Sequence, residues 1–463
     1  MFHYSSAALD RSPSRFLTPA ILVSVLSVGA AVPAFSQALN PVESTPFPPP
    51  TTLYESREMP VVPWLAGSTP ATPDWLDADY APSPLIRPGL GIAAIGDNLV
   101  PSASTGKSRR GSLTPFPVGP IDVGFDVSYG LTYGTGVLTG PGQEDSAIRN
   151  ALTPGLNIFA GDRWTLRYAP TATFYSADGY KDTFDQMVSL HGSASAPNWD
   201  FGLNHASSTS STPLVETGRQ TDQTIHSSGL SANWDASARD SFSFSLSQNV
   251  RFAESSPDSF SWSNQNWYNR TLTDRISAGL GAGIGYDLLD PGTDMFHVRM
   301  NGRVEGSLGR KFTYTVSGGA ERREFVGSDA SSAISPLVSA TITYQVLEKV
   351  SVYAGFDHSI DVSYFSDQFT ENSSAHAGAS YVMSSKWTAS AIGGFRVTGY
   401  QSTLVDDQSS REDTSTFATV SLSWRPLKRL MTTLSYSYRA NDSDNAGFAF
   451  DSHQLGLRIT YSL

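Results

Sequence analysis

Three charged residues recur at even spacing between residues 296 and 308: Arg299, Arg303 and Glu305. If this segment is a β-strand, all three side chains lie on one face, because successive side chains of a strand point to opposite faces. Rings of charged side chains on a pore wall select ions or steer solutes. An internal salt-bridge network that stiffens the wall is an equally good interpretation of the same residues. Both interpretations require a strand whose polar face is enclosed by other strands.

Further arginines occupy the polar phase of other candidate strands. They are Arg167, Arg251, Arg396, Arg425, Arg439 and Arg458. We predict that Arg299, Arg303 and Glu305 form the constriction of a pore. A wider set of predicted pore-lining residues consists of Arg167, Arg251, Arg396 and Arg458.

Other chemistry is not indicated by the residue pattern. The eight histidines form no metal-binding spacing, and the chain has no cysteine for a disulfide or a thiolate metal site. A serine and histidine pair on an outer wall is the enzymatic alternative, since His205, His226 and His453 fall in an apolar phase. Serine is frequent throughout, so a neighbouring serine is uninformative. Acidic clusters such as Asp406 with Asp407 are interpreted as solvated loops rather than sites for divalent cations. The sequence therefore predicts no enzyme, no catalytic residue, no cofactor and no metal.

A recurring turn marks the strands that would position the charged residues. A short polar turn with Lys, Arg or Asn precedes an aromatic or aliphatic residue that opens the next segment. Eight such openings occur 34 to 43 residues apart, at Trp164, Trp199, Phe242, Ile276, Phe312, Val350, Trp387 and Leu430. Each interval accommodates two strands, one short turn and one longer loop. Outer-membrane barrels show this asymmetry, with short periplasmic turns and long external loops.

The segments between the turns alternate apolar and small polar residues, as in Phe125, Asp126 and Val127. They are longer than most strands of soluble sheets and long enough to cross a bilayer when tilted. Glycines at 279, 281, 283 and 285 share one polar phase, where they allow close backbone approach, tight curvature or open lumen space. The predicted fold is all-β, a transmembrane antiparallel β-barrel over residues 121–463. Eight turns and one extra strand at each end give about 18 strands, with 16 as the alternative.

Composition is compatible with such a barrel. Beyond the N-terminal apolar stretch no run of 18 apolar residues occurs, so helical membrane spans are not expected. A chain with 39% hydrophobic residues suits a barrel in which only every second strand residue faces lipid. The net charge of −12 argues against nucleic-acid binding, which needs a basic footprint.

Residues 1–38 have the pattern of a secretory signal peptide, with Arg11 and Arg15 before an apolar stretch and small residues near the end. Residues 39–120 contain 16 of the 28 prolines. Because proline cannot donate to a sheet ladder, we predict a mostly disordered periplasmic linker. A plug inside the barrel and a docking arm for a periplasmic partner are the alternatives.

The last segment places Leu455, Leu457, Ile459 and Tyr461 in one phase and ends at Leu463. It is similar to the C-terminal strand that the barrel-assembly machinery recognises, although that signature usually ends in Phe or Trp. With the Pro-rich N-terminal stretch, the turn-plus-aromatic openings and the Ser/Thr/Gly-rich strands, the chain resembles the beta-barrel porin 2 family over about residues 121–463. The resemblance implies an outer-membrane barrel whose family members often accompany exopolysaccharide export loci. It carries over no site residues.

The first predicted function is a porin-like channel of the bacterial outer membrane for diffusion of small hydrophilic solutes. A conduit for exopolysaccharide export, with a periplasmic export partner, is the alternative, and a closed structural or adhesive barrel is the third. Predicted partners are outer-membrane lipid and the barrel-assembly machinery, and a homo-oligomer is left open.

Overall fold

The computed structural model describes residues 116–135, 146–177, 180–214, 219–254, 256–327, 332–365, 368–402 and 411–463. The predicted signal peptide and nearly all of the Pro-rich segment lie outside the described residues. The strands are β1 (Phe116–Val118), β2 (Ile121–Thr135), β3 (Ser146–Ala160), β4 (Trp164–Tyr168), β5 (Thr171–Tyr175), β6 (Thr183–Ala196), β7 (Trp199–Leu214), β8 (Arg219–Asp235), β9 (Asp240–Ala253), β10 (Asp258–Thr273), β11 (Ile276–Asp290), β12 (Asp294–Leu308), β13 (Phe312–Val326), β14 (Ala333–Leu347), β15 (Val350–Val362), β16 (Gln368–Val382), β17 (Trp387–Ser402), β18 (Arg411–Leu427), β19 (Leu430–Ser443) and β20 (Phe450–Ser462). A short 3-10 turn spans Ala446–Phe448. No helix in the described ranges has the length and apolar character needed to cross a membrane.

The strands form one closed antiparallel barrel. β20 pairs with β2, from Asp126 opposite Ser462 to Thr135 opposite His453, so the first and last wall strands meet. β4 and β5 both lie between β3 and β6 and make one wall strand, interrupted at Pro170, which has no N–H to donate. β1 pairs with the beginning of β2 alone. The wall therefore has eighteen strands, the predicted number rather than the alternative of sixteen.

The eight predicted turns all connect neighbouring strands at one end of the barrel. Gly161, Asn198 and Gly309 adopt positive φ angles of 62°, 61° and 70° in three of them, a conformation that glycine and asparagine tolerate. Since consecutive strands run antiparallel, β2 begins and β20 ends at this same end.

The two faces of the wall differ as the alternation predicts. Apolar side chains on the outer face are exposed, and Leu280 at 71% and Met300 at 69% are examples. At the turn end, tryptophans of adjacent strands stack on the outside, with ring centroids 5.5 Å apart for Trp387 and Trp424. An apolar outer band with an aromatic girdle is the surface that lipid requires of a spanning barrel. The protein is therefore an outer-membrane β-barrel.

Two local features depart from the sequence pattern. β1 falls inside the Pro-rich segment, where no strand is predicted, and its Pro117 is tolerated because β1 lies at an edge. β10 alternates poorly because its outer phase contains Asn264 and Asn266, and it still forms a full strand paired with β9 and β11.

Candidate pore constriction

The seven charged residues predicted to line a pore all lie in the polar phase of the wall, on the lumen side. They stand at different heights and do not form one ring. Glu305 is three residues from the turn end of β12 and Arg167 is three residues from the turn end of β4, whereas Arg251 lies near the loop end of β9. The structure therefore separates them into several local clusters.

The largest cluster, the β11–β13 charge network, joins five side chains of three adjacent strands: Asp287, His297, Arg299, Glu321 and Arg323. Glu321 lies between two arginines, 3.0 Å from Arg299 Nη2 and 2.7 Å from Arg323 Nη2. Asp287 Oδ2 lies 3.4 Å from His297 Nδ1 and 3.9 Å from Arg323 Nη1. The two arginines and two carboxylates balance in charge when His297 is neutral.

This network is almost completely withdrawn from solvent. The side chains of Glu321 and Arg323 are 2% exposed, and that of Arg299 is 12% exposed. Buried charges require such pairing, since removal of one partner leaves an uncompensated charge. The predicted Arg299 thus belongs to a salt-bridge network, the second of the two interpretations that the sequence allows.

Arg303 is held separately, closer to the turn end. Its Nη2 donates to Asn269 Oδ1 at 2.7 Å, its Nε lies 3.5 Å from Glu305, and its guanidinium lies 4.2 Å from the centre of the Trp267 ring. A guanidinium over an aromatic face adds a cation–π attraction to the ion pair. Arg303 and Glu305 therefore pair with each other, as their shared face predicts.

The alternating glycines of β11 provide the space for these side chains. A Cβ atom on Gly281 would lie 2.7 Å from the Trp267 ring, and one on Gly285 would lie 2.2 Å from His297 Nε2. Of the predicted roles, the structure shows close approach: side chains of β10 and β12 pack directly over the glycine backbone.

The upper part of β15 separates from β14 and folds toward the barrel interior together with the upper part of β16, which stays paired with β17 up to Gln368 opposite Ser402. β14 pairs with β15 only as far as Val338 opposite His358, whereas β15 stays paired with β16 up to Val362 opposite Phe369. Between the turn end of β15 and His358, every second side chain faces outward, as the exposed Phe356 shows. Ile360 belongs to the same alternating set.

Beyond His358, the side chains of this alternating set are buried against the lumen side of β11–β13. Ile360, Val362 and Phe369 form one apolar cluster with Leu289 and Met295, which share the polar phase of Asp287 and His297. The rings of Phe325 and Phe369 stack at 5.5 Å. We call residues 359–365 and 368–371 the inward hairpin. Its apolar face closes the top of the β11–β13 charge network.

The tip of the inward hairpin reaches β9. Arg251 is fully buried, donates from Nη2 to the carbonyl of Ser363 at 3.2 Å, and lies 3.9 Å from the centre of the Tyr364 ring. β9 and β15 are six strands apart around the wall, so the hairpin covers the lumen side of the wall between them. Arg251, predicted as a lining residue, thus anchors the inward hairpin.

The remaining predicted residues have local partners. Arg167 forms two hydrogen bonds with the carboxylate of Asp126, at 3.1 and 3.2 Å, and a third with Asn157. Arg396 interacts electrostatically with Asp361 of the inward hairpin. Arg458 lies opposite Gly130 on the lumen face at the seam that closes the barrel.

Sequence reasoning missed several members of these clusters. Glu321 and Arg323 stand in the run Glu321-Arg322-Arg323-Glu324, whose unbroken charge hides the alternation. The pairing shows that Glu321 and Arg323 face the lumen, while Arg322 and Glu324 face outward as an exposed pair 2.9 Å apart. The even spacing of Glu321 from the polar Ser317 and Gly319 is the signal that identifies its face.

Serine and histidine pairs do occur on the outer face. His205 Nδ1 lies 2.9 Å from Ser228 Oγ, and His358 contacts both Ser373 Oγ at 2.7 Å and Glu371 Oε1 at 3.1 Å. Ser373 is paired with β15 on one side and β17 on the other. Its neighbouring backbone N–H groups are therefore engaged in sheet ladders and do not provide the free donors that acyl transfer requires of an oxyanion hole. In the described part of the chain, no group of His, Asp and Glu residues is arranged to hold a metal ion.

A scan against protein-family models finds no match, so the resemblance to the beta-barrel porin 2 family remains a prediction. A search of curated proteins finds no similar sequence. Among solved structures the fold is similar to OpdO of Pseudomonas aeruginosa, with 12% identity over 74% of this chain and 97% of that chain and a TM-score of 0.42. OccK2 (OpdF) of the same organism, in complex with glucuronate, has 11% identity over 74% and 98% of the chains and a TM-score of 0.42. A bacterial polysaccharide outer membrane secretin has 8% identity over 73% and 98% of the chains and a TM-score of 0.34. These similarities concern the fold and not the function.

Proposed function

We propose that the protein is a passive or weakly selective channel for small hydrophilic solutes, constricted by the inward hairpin. The observation that carries this proposal is a segment folded inside a closed eighteen-strand wall whose lumen phase is polar. Barrels of 16–18 strands leave an aqueous interior. A segment that lies on the lumen side of such a wall narrows the interior without closing the wall itself.

The charges around the hairpin give the proposed path its chemistry. Arg396 interacts with Asp361 of the inward hairpin, and the β11–β13 charge network lies beneath the apolar face of the hairpin. Since the buried arginines and carboxylates balance in charge there, the wall presents no strong field of one sign to a permeating ion. Weak rather than strong charge selectivity follows from this balance. We propose that Glu305, Arg167, Arg396 and Arg458 border this path, and that Arg299, Arg303 and Arg251 hold its wall and the inward hairpin in place.

The direct test is single-channel conductance of the full chain in planar bilayers. Discrete conductance steps are expected from a barrel whose folding is verified by its heat-modifiable migration in SDS gels. A folded barrel that never conducts would overturn the proposal.

The role of the inward hairpin has its own test in Arg251→Ala. Loss of the bond to Ser363 and of the contact with Tyr364 should release the tip and increase the conductance. Arg270→Ala is the matched control, because Arg270 lies on the outer face of the adjacent strand with its side chain 55% exposed. Equal conductance in both variants and the wild type would show that the tip does not limit the path, without affecting the channel proposal.

A closed structural barrel is the second candidate. The observation in its favour is the filled layer over β10–β12, where Trp267, Arg303 and His297 pack on the glycines of β11. Permeation of small sugars into liposomes that contain the protein distinguishes the two, since a closed barrel admits none.

A further inference from the structure

The outer wall of β7–β10 carries a polar patch. Residues directly opposite each other on antiparallel strands share a face, and His205 lies opposite Ser228, which in turn lies opposite Gln248. Asn264 and Asn266 lie opposite the outward Leu246 and Phe244. We define the polar patch as His205, Ser207, His226, Ser228, Gln248, Asn264 and Asn266.

The wall next to the polar patch and the wall opposite to it are apolar at this height. Ala282 of β11 lies opposite Asn266, and Met300 of β12 lies opposite Ala282, so the wall beside the patch carries apolar side chains. On the opposite side of the barrel, nine strands from β9, the outward residue at a similar height is Val420, which is 56% exposed. The outer face also carries the smaller polar pair of His358 and Ser373, whereas the polar patch extends over four neighbouring strands of the lipid-facing band.

Hydrogen bonds inside the polar patch use only part of its capacity. His205 Nδ1 bonds Ser228 at 2.9 Å, Asn266 donates to Asn264 at 2.5 Å, and Asn264 donates to the Ser245 carbonyl at 2.9 Å. Each amide has two donor hydrogens and an acceptor oxygen, and an imidazole has a second nitrogen. Lipid acyl chains offer no partner for the remaining groups. Polar side chains at membrane depth therefore indicate a polar neighbour.

An aromatic border lies directly below the polar patch. Trp199 stacks on Trp234 at 5.8 Å and on Phe201 at 5.6 Å, and Trp234 stacks on Phe242 at 5.4 Å. These rings belong to the aromatic girdle that also includes Trp387 and Trp424, so they mark the level of the membrane boundary below the polar patch. The polar patch on β7–β10 therefore lies above this boundary, at the depth of the lipid acyl chains.

We propose that a second copy of this chain docks on the polar patch. The patch contains donors and acceptors but no Asp, Glu, Lys or Arg, so two copies of it face each other without repulsion between like charges. A two-fold axis brings identical surfaces together and is the commonest symmetry of homo-oligomers. A lipid headgroup stays at the membrane surface, whereas another barrel presents polar side chains at the same depth.

Native mass spectrometry of the full chain, extracted in a mild detergent, tests the docking. A dimer or larger oligomer is expected for the wild type, and Asn264→Leu with Asn266→Leu should reduce the oligomer at least tenfold while the barrel stays folded. A wild-type monomer, with or without bound lipid mass, overturns the proposal. An oligomer that the double variant leaves intact also overturns it.

Cysteine cross-linking locates the contact, because the natural chain has no cysteine. Gln248→Cys lies at the centre of the polar patch, and Val420→Cys on the far wall is the matched control. A short bis-maleimide reagent applied to intact membranes should join two Gln248→Cys chains and leave Val420→Cys chains single. Equal cross-linking at both positions would mean random collision and would overturn the proposal. Neither experiment depends on conductance, so the interface and the channel are tested separately.

Discussion

Glu321→Gln is the substitution that most directly tests the electrostatic account of the constriction. It preserves side-chain volume and removes the carboxylate that joins Arg299 and Arg323 at 3.0 and 2.7 Å. With His297 neutral, the β11–β13 charge network then changes from charge balance to one excess positive charge. Anions should be favoured in the lumen and cations disfavoured.

The size of the effect follows from Coulomb's law. A unit charge about 6 Å from a permeating ion in water changes the energy of that ion by ~0.7 kcal/mol. The change has opposite signs for anions and cations, so their ratio shifts by ~1.4 kcal/mol, which is about tenfold. Screening over about 10 Å at 0.1 M salt reduces the shift to a few-fold. The effect should therefore grow as salt is lowered.

The assay is the reversal potential of the channel across a potassium chloride gradient. Glu324→Gln is the matched control, since Glu324 is on the same strand but faces outward with its side chain 51% exposed. An unchanged reversal potential in Glu321→Gln, or an equal shift in the control, would refute the reasoning. Because a buried pair is broken, Glu321→Gln should also reduce the free energy of unfolding by about 3–5 kcal/mol, so a folded sample must be verified first.

Three other substitutions test the packing. Gly281→Val should destabilise the barrel by about 1–3 kcal/mol, because a Cβ there would lie 2.7 Å from the Trp267 ring; an unchanged guanidinium unfolding midpoint would contradict this. Trp424→Ala removes the stacking with Trp387 at 5.5 Å and should cost about 0.5–1.5 kcal/mol for the ring pair in addition to the lost apolar contact, measured by the same unfolding curve. Phe369→Ala leaves a cavity in the apolar cluster and should weaken docking of the inward hairpin by about 3–5 kcal/mol, which noisier channel currents would reveal; currents as steady as those of the wild type would speak against an inward hairpin held by this cluster.

The strand number and the two faces could be predicted from the sequence because they depend on local signals. A polar turn followed by an aromatic residue, as at Arg163 and Trp164, marks one strand boundary within four residues. Alternation has a period of two, so a segment such as Ile121–Thr135 identifies its own faces. The arginines could be assigned to the lumen for the same reason.

The partners of those arginines were decided only by the tertiary structure. Arg299 meets Glu321 because β12 and β13 pair in a particular register, which the closure of all eighteen strands determines. Arg251 meets Ser363, 112 residues away, because β15 separates from β14 beyond His358 and folds inward. The sequence by itself determined which face each charge occupies, since that is a property of one strand. Which charges meet, and which segment folds inside the wall, depend on strands distant in sequence, and only their packing could decide them.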